Sequence, residues 1–249
     1  MKKHLNPAYL PLVSLGAGLL TMILRFILLA VGEDDKGLLV TGSFPDVFSW
    51  LLSIAAMVVL LLGTWNLREA NKFSFNFPAS PIGTAGILAA ALGILITALS
   101  KLFFGGDALD IVNSLLGLLA VAALVFVALS RYQGQRPSVL FHSVVCIYLL
   151  LHLVSHYRVW SAYPQIQHYG FELLAAVCLA LACYHRATFD VGEGNRRTYA
   201  FCSLAAIYFS VAALPGCSSP VFFVGCALWM LTNLCSLKPL PSRRSKKED

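Results

Sequence analysis

From Ala8 to Val31 the chain runs 24 residues with a single charged side chain, Arg25, and comparable apolar runs recur along its length. A helix needs about 20 apolar residues to cross roughly 30 Å of hydrocarbon, and lipid leaves no unpaired backbone group unpunished, so such runs are expected to be membrane-spanning helices. On that ruler spans fall at 8–31, 47–67, 82–102, 110–130, 138–157, 169–187, 198–214 and 219–236. The seventh is short and ends at the turn signal Leu214-Pro215-Gly216, which leaves a re-entrant hairpin, and hence six or seven full spans, as the alternative. The expected fold class is all-α, a polytopic transmembrane helical bundle of eight spans.

The residue balance points the same way. The chain is 58% hydrophobic and 12% charged with a mean hydropathy of +0.76, whereas soluble domains carry about 25% charged residues. Connectors hold turn chemistry, as in Gly42-Ser43-Phe44-Pro45, Pro78-Ala79-Ser80-Pro81 and Arg136-Pro137. None is long enough for a soluble domain, so residues 1–236 read as one integral membrane domain and 237–249 as a basic cytoplasmic tail. Lys2 and Lys3 before an apolar run resemble a signal peptide, but that run exceeds the roughly 7–15 residues of a signal core and ends without a small-residue cleavage pattern, so it is expected to remain as the first span.

Fourteen basic residues, including Arg68, Arg131, Arg186, Arg196 and the tail Arg243-Arg244-Ser245-Lys246-Lys247, sit on the side that holds both termini. Only Lys36, Lys101 and Arg158 sit on the other. Cytoplasmic loops hold the Lys/Arg excess, so both termini are expected in the cytoplasm of a cell-membrane protein. Membrane topology and contact with anionic lipid account for the net charge of +6 without nucleic acid. Aromatic residues mark the two interfaces, with Trp50, Trp160, Tyr163 and Tyr169 outside and Trp65, Tyr132, Tyr184 and Tyr199 inside.

An internal duplication is suggested at an offset of 119: Pro45, Val47, Trp50, Ala56 and Trp65 align without a gap on Pro164, Ile166, Tyr169, Ala175 and Tyr184. Extended outward, it relates a repeat over 8–130 to one over 138–236, two parallel four-helix units.

Charges inside hydrocarbon cost roughly 2.5–3.5 kcal/mol each on insertion scales and are functional candidates for that reason. Arg25 in the first span and Glu172 in the sixth lie at similar depth toward the outer side. The fifth span adds Tyr148, His152 and His156 at four-residue spacing, one helical face, followed by Arg158, His168 and Tyr169. The expected ligand site is therefore Arg25, His152, His156, Arg158, His168, Tyr169 and Glu172, opening outward. The pair of histidines lacks a His-Glu-x-x-His context. A haem would want a second histidine at matching depth, for which only His142 and His168 near span ends are present. No metal or cofactor is expected, and the seven cysteines, none in a Cys-x-x-Cys pair, read as small apolar residues.

No phosphate loop, Gly-x-Ser-x-Gly elbow or intramembrane aspartate pair occurs, so ATP hydrolysis and serine or aspartyl protease chemistry lack their residues. The leading reading is a small transporter or transporter subunit for an anionic or aromatic ligand. A sensor or assembly protein that engages a partner membrane protein is the alternative, and a membrane-embedded enzyme using the His/Glu group as acid and base is the second alternative.

Overall fold

A computed structural model describes residues 9–31, 43–104, 107–162 and 169–238. Among these residues regular structure is helical throughout, with no strand. The helices are α1 (Leu10–Val31), α2 (Phe44–Trp65), the single turn α3 (Phe73–Asn76), α4 (Pro81–Phe104), α5 (Ala108–Gln133), α6 (Val139–Trp160), α7 (Gly170–Val191), α8 (Arg196–Ala212) and α9 (Pro220–Cys235). Six of them, α1, α2, α4, α5, α6 and α7, are long and apolar enough to cross a membrane, and the chain fits a multi-pass integral membrane protein. At 17 and 16 residues, α8 and α9 are shorter than that length.

Local chemistry sets the helix ends. Proline occupies the first turn of α2 and α9, where its missing N–H costs nothing. The Asn195 side chain caps α8 by accepting from the backbone N–H groups of Arg197 and Thr198. Gly134 and Gly192, with φ of 69° and 94°, close α5 and α7 in the left-handed region that glycine enters freely. These two helices run past their apolar cores, so Arg131, Arg186 and Asp190 lie within helices rather than in connectors.

Helix packing closes a ring. α4 packs on α5, α5 on α6, α6 on α7, α7 on α8, α8 on α9, and α9 back on α4. The last seam is backbone to backbone: a Cβ at Gly93 would lie 2.8 Å from the Val221 carbonyl oxygen, and one at Gly225 2.6 Å from that of Ala89. Small residues at this seam permit the close approach on which helix association in lipid depends.

α1 and α2 stand outside the ring against α8. Hydroxyls fasten them there, since Ser14 donates to the Leu204 carbonyl at 2.7 Å while Thr21 and Ser53 bond the Tyr208 hydroxyl at 2.7 and 2.8 Å. α8 is consequently enclosed, with 14 of its 17 residues buried, and needs no lipid-compatible face. Leu51, Ile54, Val58 and Leu62 of α2 stay exposed, as befits a lipid-facing surface. α2 and α7, the two helices the duplication equates, thus occupy different places, one peripheral and one within the ring.

Antiparallel neighbours in the ring gather functional side chains at two ends. One holds the C-terminal ends of α4, α6 and α8; the other holds the C-terminal ends of α5, α7 and α9. The α2–α4 connector folds over this second end and buries Ala70, Phe73, Asn76 and Phe77.

Candidate functional site

The first end contains the histidines. Four-residue spacing on α6 turns Tyr148, His152, His156 and Trp160 to one inward face, and all four are buried. Their rings follow one another with centroids 5.7, 4.3 and 5.2 Å apart, and Tyr169 stacks on Trp160 at 5.6 Å. Phe222 of α9 closes the face against His152 at 4.5 Å.

The loop between α8 and α9 joins this ladder to the charges. Ser218 Oγ donates to Glu172 Oε2 at 3.1 Å and lies 3.5 Å from His156 Nδ1. Arg25 Nη1 donates to the Ala212 carbonyl at 2.9 Å, and its guanidinium stands 4.6 Å from the Phe171 ring centre. Arg25 and Glu172 are both buried and within electrostatic range of each other. Lys101 Nζ contacts Asp110 Oδ1 at 3.0 Å and His156 Nε2 at 3.1 Å, and Ser155 donates to the same Asp110 oxygen at 2.8 Å.

These partners assign a tautomer and a direction. An ammonium is a donor only, so His156 Nε2 accepts from Lys101 and the ring proton sits on Nδ1, facing Ser218. Ser218 passes its own proton toward Glu172. The result is a directed hydrogen-bonded relay, Lys101 to His156 to Ser218 to Glu172, spread over α4, α6, the α8–α9 loop and α7. Lys101 pairs with Asp110, and Arg25 lies in the field of two carboxylates, Glu172 and Asp46.

Of the residues expected from the sequence, Arg25, His152, His156, Tyr169 and Glu172 come together. Arg158 does not join them: it turns outward at the rim and pairs with Asp107, where both side chains are largely exposed. His168 lies outside the described residues. Lys101, Asp110, Ser155, Ser218 and Asn113, whose amide reaches His152 Nδ1 at 3.4 Å, are additions. Lys101 and Asp110 end and begin consecutive helices nine residues apart, a spacing that a tight helical hairpin turns into a pair. Ser218 is legible only once the loop is seen between two helices.

Among the described residues no three His, Cys, Asp or Glu side chains come together as a metal site. At the opposite end His142, Arg186 and Asp190 form a second buried group, with Asp190 2.6 Å from His142 Nδ1 and 3.1 Å from Arg186 Nη1. Here the sequence reading is extended, because Arg131, Arg186 and Arg196, counted only as basic residues of the side that holds the termini, are buried within helices. No protein-family model, curated protein or solved structure matches this chain.

Proposed function

We propose that this protein is a small transporter, or a transporter subunit, that takes up an anionic or aromatic solute together with a proton at the histidine end. In this reading α8 and α9 cross with the other six helices, eight spans in all, and the basic end faces the cytoplasm. Residues 1–236 then form the membrane domain, and 237–249 a cytoplasmic tail. The observation that carries the reading is the relay from part-buried Lys101 through buried His156 and the exposed loop hydroxyl of Ser218 to buried Glu172, beside Arg25. Buried ionisable groups linked by hydrogen bonds are what proton coupling in a membrane requires.

Charge balance supplies the coupling. With Asp110, Glu172 and Asp46 already facing Lys101 and Arg25, an incoming anion would add unbalanced negative charge to a low-dielectric site. Protonation of Glu172 offsets that charge. Tyr169, part-exposed at the outer end of the ring ladder, offers a flat face to an aromatic portion. The duplication relating 8–130 to 138–236 has its support in the sequence alignment alone.

Thermal stabilisation of the purified protein by a panel of small carboxylates and aromatic acids tests the reading, because a ligand that binds only the native state raises its stability. Proteoliposome uptake of the best stabiliser, with and without an inward proton gradient, follows. Wild type should accumulate the solute only with the gradient, and Glu172→Gln should bind it with little dependence on pH and lose accumulation. Absence of any stabiliser or uptake, with a membrane protein co-purifying, would instead favour the sensor or assembly alternative.

A further inference from the structure

The end of the ring opposite the histidines holds more buried positive charge than its own carboxylate balances. Arg131 at the end of α5, Arg186 in α7 and Arg196 at the start of α8 are 1, 3 and 3% exposed. The carboxylate buried with them, Asp190, is already engaged: Oδ1 accepts from Arg186 Nη1, and Oδ2 faces His142. Among the described residues neither Arg131 nor Arg196 has an ion-pair partner. Glu69, on the neighbouring connector, is held by Arg197 at 2.8 Å.

Each of the two free arginines makes one hydrogen bond, Arg131 Nη2 to Ser236 Oγ at 2.8 Å and Arg196 Nη2 to the Lys238 carbonyl at 3.0 Å. In both, Nε and Nη1 are buried with no partner. A guanidinium stays charged at any working pH, and a buried one without a counter-charge carries a large desolvation penalty. Aromatic faces offset part of it: the Phe77 ring centre lies 3.8 Å from Arg186 and 5.2 Å from Arg131. A ring quadrupole does not neutralise the charge.

We propose that Arg131 and Arg196 form a binding site for a phosphate group. Both heads bond the same short segment after α9, at Ser236 and at Lys238 two positions further on. A phosphate presents enough oxygens to meet two guanidinium groups at once, and each planar fork matches its geometry. Two unmatched cations suit its charge of up to two. The α2–α4 connector forms one wall through Phe77 and is itself tied to the segment after α9 by the bond from Lys238 N to the Asn76 carbonyl at 3.0 Å. The phosphate can be inorganic or the head group of an anionic phospholipid, since this end lies where the helices leave the hydrocarbon. The site is independent of the transport reading, which concerns the other end.

The full chain in phosphatidylcholine nanodiscs, its thermal unfolding followed as inorganic phosphate is added against chloride at equal ionic strength, provides the test. A second set of discs contains phosphatidylglycerol and no phosphate. A saturable rise in midpoint with phosphate identifies a free anion, and a rise only with phosphatidylglycerol identifies a head group; either supports the site. Arg131→Gln and Arg196→Gln should each weaken the effect about tenfold or more. Arg131→Lys, which keeps the charge and the fold but loses the fork, should weaken it several-fold, and Arg158→Gln at the far end should leave it unchanged. No rise in either kind of disc, or a rise of equal affinity in Arg131→Lys and Arg196→Gln, would overturn the proposal.

Discussion

Asp190→Asn is expected to destabilise the bundle by about 3–5 kcal/mol, the usual cost of removing one partner from a buried ion pair. The carboxylate is 0% exposed and lies 3.1 Å from Arg186, itself 3% exposed. With an effective dielectric of about 20, unit charges at that distance attract by about 5 kcal/mol. The same pair on a surface would contribute under about 1 kcal/mol, so burial decides the magnitude. The amide keeps the shape and loses the charge, leaving Arg186 against the Phe77 and Phe73 rings alone. Adding Arg186→Met removes the stranded cation and preserves an apolar contact with Phe77. The double variant should therefore be more stable than the sum of the two single changes by about 2 kcal/mol. Unfolding in mixed micelles with rising SDS, followed by tryptophan fluorescence, measures all four proteins on one scale. A loss under about 1 kcal/mol for Asp190→Asn, or strict additivity in the double variant, would refute the buried-pair reasoning.

Two further outcomes follow from the packing. Gly225→Ala places a Cβ 2.6 Å from the Ala89 carbonyl oxygen, a backbone atom that cannot step aside. It should cost about 1–3 kcal/mol by overpacking, and an unchanged SDS midpoint would show that the α4–α9 seam is not tight. Cys217, in the α8–α9 loop, has its thiol pushed up to about 12 by burial, with the Glu172 carboxylate adding to the effect. Only the thiolate is nucleophilic, so iodoacetamide should label Cys217 very slowly at pH 8 and faster as pH rises. Rapid labelling at neutral pH, read by mass spectrometry, would contradict that environment.

Much of the histidine end was legible before any fold was known. Arg25 and Glu172 announced themselves because a charge in an apolar run has few explanations, and Tyr148, His152 and His156 because four-residue spacing defines a helix face. Arg158 looked equivalent in the sequence, yet two positions past His156, about 200° around the helix, it points away from the inward face and pairs with Asp107 at the rim. Lys101 and Asp110, at the outer ends of the spans 82–102 and 110–130, gave no sign in the sequence of meeting His156 and Ser155. The burial of the basic end was not legible for a related reason. Positive residues near span ends mark topology whether they face water or protein, and nothing in their spacing shows that the α2–α4 connector folds over them.

Taken alone, the sequence determined that the chain is helical and suited to a membrane, because apolar runs of this length leave a backbone in lipid no other way to satisfy its hydrogen bonds. It also marked which interior charges demand an explanation. Tertiary structure alone decided that six helices close a ring, that α8 is enclosed by its neighbours, and that Phe77 lies against two arginines. Those outcomes join residues far apart in the chain, such as Arg25 to Ala212 and Arg131 to Ser236. Hydropathy and spacing are local quantities, while the partner a side chain meets across a helix seam depends on how every intervening segment packs.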